Sequence, residues 1–227
     1  MSRKSGTGVP ATKRPVIVLA GEDANDRRCL RILLEARCPD MRGRLVEINS
    51  PVRLRQATGG TLASRIDKLR RLVQARAARE RAEIACAFIH EDLDDADGPG
   101  YLETHTRVEK ELLRSFPTAH YVLAVEEIEA WLLLFPDALA SLVSSWQVPT
   151  KYRGKDTGRL TDPKHILMSE VSRTGRRYKE SDAPDVLEKA VALDGFPAPL
   201  GTNRSWTRLM EDAATCCSSH ISKAKKK

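Results

Sequence analysis

Carboxylates gather where three apolar segments of this chain stop. Pro15–Ala20 runs into Gly21-Glu22, Ile84–Ile89 is followed by Asp92-Leu93-Asp94, and Tyr121–Val125 leads into Glu126-Glu127-Ile128-Glu129. Carboxylates brought together repel unless a cation lies among them. An all-oxygen donor set suits Mg²⁺, or Mn²⁺ in its place, with coordination positions left for water and phosphate oxygens. Such a centre acts on phosphodiesters. Asp92 and Asp94 are alternate residues, so an extended backbone would aim both side chains the same way and let them share one cation. Glu22, arriving from a neighbouring strand end, completes the metal shell or serves as general base.

The elements that must bring these acids together follow from periodicity. Short β-branched runs such as Val16–Ala20 suit strands covered on both faces. Asp23–Arg37 reads as a helix with Leu30, Leu33 and Leu34 on one side and Asp26 near its start, and Leu45–Ile48 as a second strand. Asn49–Gly60 reads as a loop. Thr61 is expected to cap a basic helix whose Leu62, Ile66, Leu69 and Val73 form an apolar stripe. Ile84–Ile89 is a strand, His90–Gly100 an acidic loop, Glu103–Phe116 a helix, Tyr121–Val125 a strand and Glu127–Leu134 a helix that turns Trp131 and Phe135 inward.

This alternation predicts an α/β fold, a mostly parallel sheet flanked by helices. Ligands of such sheets bind beyond the carboxyl ends of the strands, where all three acidic segments lie. After about Val148 the pattern changes. Lys151–Arg159 reads as a mobile loop, and Asp162 as the cap of a helix with Pro163 at its first position, running to about Ser172. Two further helices are expected over Pro184–Leu193 and Ser205–Ala214. The expected organisation is a basic tail over 1–14, a catalytic domain over 15–148, a helical extension over 149–217 and a second basic tail over 218–227.

Of the 227 residues 41% are hydrophobic and 30% charged, and no apolar run reaches the roughly 18 residues of a membrane span. The net charge of +7 resides at the ends, because without the cations of 1–14 and 222–227 the body is near neutral. Inside it, Thr61–Arg81 carries a net +5 and Glu91–Asp97 a net −5. A basic helix beside an acidic pocket suits a polyanion such as nucleic acid held against a metal centre. Lys164 at a helix start, and Arg153 and Lys155 in the glycine-bearing loop, are the candidate substrate contacts. The five cysteines have no zinc-ligand spacing and read as unpaired thiols of a reducing compartment, and the chain as cytoplasmic, without membrane contact.

The glutamate after the first strand and the D-x-D after a later one resemble the Toprim domain, the metal-binding module of topoisomerases, primases, OLD-type nucleases and recombination proteins. The stretch Val125–Leu134, VEEIEAWLLL, is similar to the E-x-W-L-L segment of small bacterial Toprim-like proteins, RloB-like proteins among them. Asp162-Pro163-Lys164 and the Ser205-Trp206 region resemble the C-terminal part of one such family. The likeness covers roughly residues 15–215. It implies Glu22 as the catalytic or metal-linked glutamate, Asp92 and Asp94 as metal ligands, Glu129 as the acid two residues before the tryptophan, and Asp26 as an additional acid on the first helix. Here the D-x-D lies within a longer acidic run, so Asp95 or Asp97 can take a ligand role instead.

The activity the resemblance implies is metal-dependent hydrolysis of nucleic acid. Relatives of this type resemble effectors of bacterial defence against phages encoded beside ATPases, which implies an ATPase partner. The chain itself carries no G-x-x-x-x-G-K-[ST]. The alternative is a non-catalytic cation-binding or receiver-like regulatory module that docks on such a partner.

Overall fold

The computed structural model describes residues 13–194, 196 and 198–222. Four strands, β1 (Pro15–Ala20), β2 (Leu45–Ile48), β3 (Glu83–Asp92) and β4 (Ala119–Ala124), form one parallel sheet in the order β2-β1-β3-β4. Helices α1 (Ala24–Arg37), α2 (Gly59–Arg79) and α3 (Pro99–Ser115) make the crossovers. The chain leaves β1 for β2 in one direction and passes back over to β3 in the other. The topological switch point, where ligands of doubly wound sheets bind, thus lies between the carboxyl ends of β1 and β3.

The strands are covered on both faces, which is why their sequences are largely apolar; Glu47 of β2 and His120 of β4 are half-buried exceptions. Ile17, Leu19, Cys86 and Phe88 face a layer built from α1, α4 (Ile128–Leu132), α5 (Pro136–Leu142), α7 (Ala183–Ala192) and α8 (Arg204–Cys216). Val16, Val18, Ala87 and Ile89 face α2 and α3. The C-terminal helices therefore share a core with the sheet: Val186, Trp206 and Leu209 belong to the same cluster as Ile17 and Trp131.

Several boundaries differ from expectation for local reasons. β3 continues to Asp92, because its pairing with β4 persists through Asp92↔Ala124. The N-cap of α2 is Thr58 and not Thr61: its carbonyl accepts from the amides of Thr61 and Leu62. α3 starts at Pro99, whose fixed φ and missing N–H suit a first helical position. The segment 127–134 is a short helix followed by α5. Asp162 caps α6 (Pro163–His165), accepting from the His165 amide at 2.9 Å, and the chain continues in a wider π-type turn over Ile166–Val171. The 151–159 segment is pinned: the Thr157 amide donates to Thr202 O at 2.8 Å, and Gly158 O accepts from Asp97 at 2.7 Å. Helical turns run to Ile221, past the expected tail boundary. Of the two basic ends, residues 1–12 and 223–227 lie outside the described residues.

The cysteines overturn the thiol reading. Cys38 is bonded to Cys217 and Cys86 to Cys216, with Cα atoms 6.0 and 6.3 Å apart, and Cys29 alone is free and buried. The adjacent cysteines at the end of α8 do not bridge each other. They reach two partners, one beside the end of α1 and one in β3. No helix among the described residues is long and apolar enough to cross a membrane.

Candidate functional site

Beyond the carboxyl ends of β1 and β3, Glu22, Asp26, His90, Asp92 and Glu129 form one electrostatic group. Glu22 follows β1 through Gly21, and a Cβ at Gly21 would stand 3.3 Å from Arg27 Cγ, 3.4 Å from Asp26 Cβ and 3.7 Å from His90 Cβ. A side chain at Gly21 would thus crowd Arg27 and Asp26 of α1, while meeting β3 only at ordinary van der Waals distance. Asp26 is fixed by a reciprocal cap: its amide donates to Asp23 at 2.9 Å and its carboxylate accepts from the Asp23 amide at 3.1 Å. Arg27, nearly buried, braces the same turn against Glu47 and Asn49 at the end of β2.

Strand periodicity sorts the end of β3. Glu91 points to the α2/α3 face, where Leu54 and Arg55 amides donate to its carboxylate at 2.8 to 3.2 Å and Tyr121 Oη donates at 3.0 Å. His90 and Asp92 share the opposite face. The residue that shares Asp92's face through the two-residue repeat is therefore His90, one step upstream, and not Asp94. Past Asp92 the chain leaves extended geometry. Asp94 takes a left-handed φ of 54°, remains 67% exposed and pairs with Arg55. Asp95 accepts from the next amide, and Asp97 pairs with Arg204 of α8 at 3.3 Å. Glu126 and Asp162 are also left-handed, at 57° and 52°, and Glu126 O accepts from Asp94. Non-glycine residues in this region are uncommon and gather at functional sites.

The His90 ring, with none of its side chain exposed, has Nδ1 3.5 Å from Asp26 Oδ2 and Nε2 3.5 Å from Asp92 Oδ1. These are ion-pair separations without hydrogen-bond geometry, and both ring nitrogens and Asp92 Oδ1 are buried without a hydrogen-bond partner among the described residues. Burial alone would discharge an imidazole, but contact with Asp26 and the charge of Asp92 outweigh it and lift His90 to about 9. Burial pushes the Asp92 carboxyl up to about 8; His90 opposes that rise, and Asp26, Glu129 and Glu22 add to it. For Asp26 burial acts upward, but His90 and the Asp23 amide prevail and hold it below the usual aspartate range.

Glu129 sits in the first turn of α4, nearly buried, with Tyr178 Oη donating to it at 2.9 Å. Burial, then repulsion from Glu127, raises it to about 7. Glu127 is itself held by Lys164, through the backbone amide at 2.8 Å and Nζ at 3.0 Å. Lys164 also pairs with Glu180 at 3.1 Å, and Glu180 O accepts from Asn25 of α1. The Trp131 ring lies edge-on to His90, with centroids 6.1 Å apart, and its Nε1 donates to Ser205 Oγ at 2.9 Å.

Of the acids expected to converge, Asp26 and Asp92 each stand 3.5 Å from the His90 ring, and Glu22 and Glu129 act on Asp92 through their charge; Asp94, Asp95 and Asp97 are engaged elsewhere. Lys164 is committed to two carboxylates and Arg153 to Asp137 at 3.4 Å, while Lys155 is an exposed residue of the pinned loop. Sequence reasoning missed Glu91, which anchors the 54–55 loop, and Tyr178, the donor to Glu129. It read His90 as the first residue of the acidic loop, without its place between the acids. The donor set and the orphaned Asp92 oxygen fit a hard divalent cation. Among the described residues, however, no three His, Cys, Asp or Glu side chains already stand in metal-binding geometry. Comparison with protein-family models, curated proteins and solved structures returns no match. The Toprim resemblance therefore rests on the motif residues alone.

Proposed function

We propose that the chain is a divalent-metal-dependent phosphodiesterase acting on nucleic acid. One observation carries the reading: at the switch point of a parallel sheet, Asp26 and Asp92 each stand 3.5 Å from the buried His90 ring, and Asp92 Oδ1 is buried without a hydrogen-bond partner among the described residues. Glu22, Asp92, Glu129 and Asp26 are the residues that would hold Mg²⁺ or Mn²⁺, which supplies charge neutralisation at the phosphate and an activated water. Glu22, exposed and nearest solvent, is suited to orient the nucleophile. His90 holds a positive charge between Asp26 and Asp92 and so keeps the acids assembled.

The test is nicking of supercoiled plasmid, and cleavage of labelled RNA, with Mg²⁺ or Mn²⁺ and with chelator. Cleavage is expected to need the metal and to vanish in Glu22→Gln and in Asp92→Asn. Activity that survives both substitutions overturns the reading.

The preassembled imidazolium favours one other reading, a regulatory module that binds a cation without catalysis and docks on an ATPase. Calorimetric Mg²⁺ binding without cleavage of any nucleic acid would select it.

A further inference from the structure

A second site lies on the other side of the 50–55 loop, between that loop and α2. The cavity there measures about 210 Å³. Arg53 from the loop and Arg65 and Lys68, one helical turn apart on α2, line it, and Val52, Leu69 and Leu72 supply an apolar wall. No acid lines it. Arg65 donates to the Arg53 carbonyl, which aims its guanidinium toward the loop. Among the described residues neither Arg53 nor Lys68 has a carboxylate partner, and Arg65 has only that carbonyl. Elsewhere on α2, Asp67 pairs with Arg70 and Arg71 and the C-cap Glu80 with Arg76, while Arg79, at the far end of the helix, lines no part of the cavity.

Three uncompensated cations around one cavity repel each other, and an anion relieves them all. Two guanidinium forks and an ammonium suit phosphate oxygens. The cavity is smaller than the roughly 300–1,000 Å³ that encloses a whole small ligand, so it suits one unit of a longer molecule. The apolar wall suits the sugar or base beside the phosphate.

We infer that Arg53, Arg65 and Lys68 form a seat for a backbone phosphate of a nucleic-acid strand, and that the strand is led from there toward the carboxylate cluster. The seat is joined to that cluster: the Leu54 and Arg55 amides that follow Arg53 hold Glu91, the residue between His90 and Asp92. Arg55 continues the path, pairing with Asp94 and donating to Leu93 O. The inference rests on the phosphodiesterase reading only for where the strand goes next.

The test measures binding of fluorescent single-stranded DNA and RNA oligonucleotides in EDTA, so that catalysis plays no part. Arg53→Glu/Lys68→Glu alters two exposed side chains without partners, and its melting curve should match the parent. Its affinity at low salt is expected to fall about tenfold or more, with the salt slope shallower by about 1.4, near 0.7 per lost phosphate contact. Parental affinity in the double variant overturns the seat, as does a parent protein that binds no oligonucleotide. Binding of inorganic pyrophosphate alone would assign the cavity to a small phosphate and overturn the strand. Oligonucleotide binding lost in the double variant, with no cleavage by the parent, keeps the seat and removes the phosphodiesterase.

Discussion

The imidazole of His90 stands 3.5 Å from the carboxylate of Asp26 with none of its side chain exposed to solvent. A buried cation between two acids does more for assembly than for net stability, because desolvation offsets much of the attraction. Removing it leaves the acids uncompensated. His90→Gln is expected to lower unfolding stability by about 3 kcal/mol or more in urea titrations, with part of the loss recovered in millimolar Mg²⁺. A loss below about 1 kcal/mol would mean that the acids do not depend on the ring.

Stability should fall as the solution becomes alkaline. The His90 folded value, near 9, lies above its usual 6.5, so its contribution is complete below about 6.5 and lost as pH rises through 9. Asp92 is raised from 3.8 to about 8, so the folded state holds a proton that the unfolded chain releases. Its contribution is present at low pH and drains away between those two values. With chelator present, the melting temperature is expected to drop from pH 6 to pH 9, and Asp92→Asn to flatten the part below pH 8. A parent profile flat over this range would refute the arrangement of charges.

Tyr178 donates to Glu129 at 2.9 Å in a buried setting. Tyr178→Phe leaves that oxygen without its donor, at a cost of about 1–3 kcal/mol. The hydrogen bond pulls the carboxyl down against burial, so its loss should move Glu129 further up. Cleavage should then rise to its maximum at higher pH in the variant than in the parent. An unchanged pH profile would separate Glu129 from the reaction.

The cysteine pairing is open to direct counting. Unfolded without reductant, the chain should expose one thiol, that of Cys29, and all five after reduction. Burial pushes the Cys29 thiol well above its usual range, so the folded protein should react slowly with thiol reagents. Because the bridges span 179 and 130 residues, reduction should lower stability by about 3–5 kcal/mol. Five thiols in the unreduced chain would refute both bridges.

The strands and the site's place at their carboxyl ends were legible because a sheet covered on both faces writes continuous apolar runs, and acids just beyond them stand out. Glu22 and Asp92 follow from that pattern. Asp94 does not, because its position depends on where extended backbone ends, and pairing with β4 stops at Asp92. The alternation that seemed to join Asp92 to Asp94 joins it to His90, a residue hidden inside what reads as a loop. Tyr178 and the bridges of Cys216 and Cys217 were out of reach because their partners lie 49 to 179 positions away. Distance of that order leaves no local trace in composition or spacing.

Glu91 has the widest consequence. Its neighbours on either side face the acid cluster, while its own carboxylate grips the rim of the basic cavity. The loop that lines the cavity and the tip of β3 are thus tied to each other through a single carboxylate, held by the amides of Leu54 and Arg55.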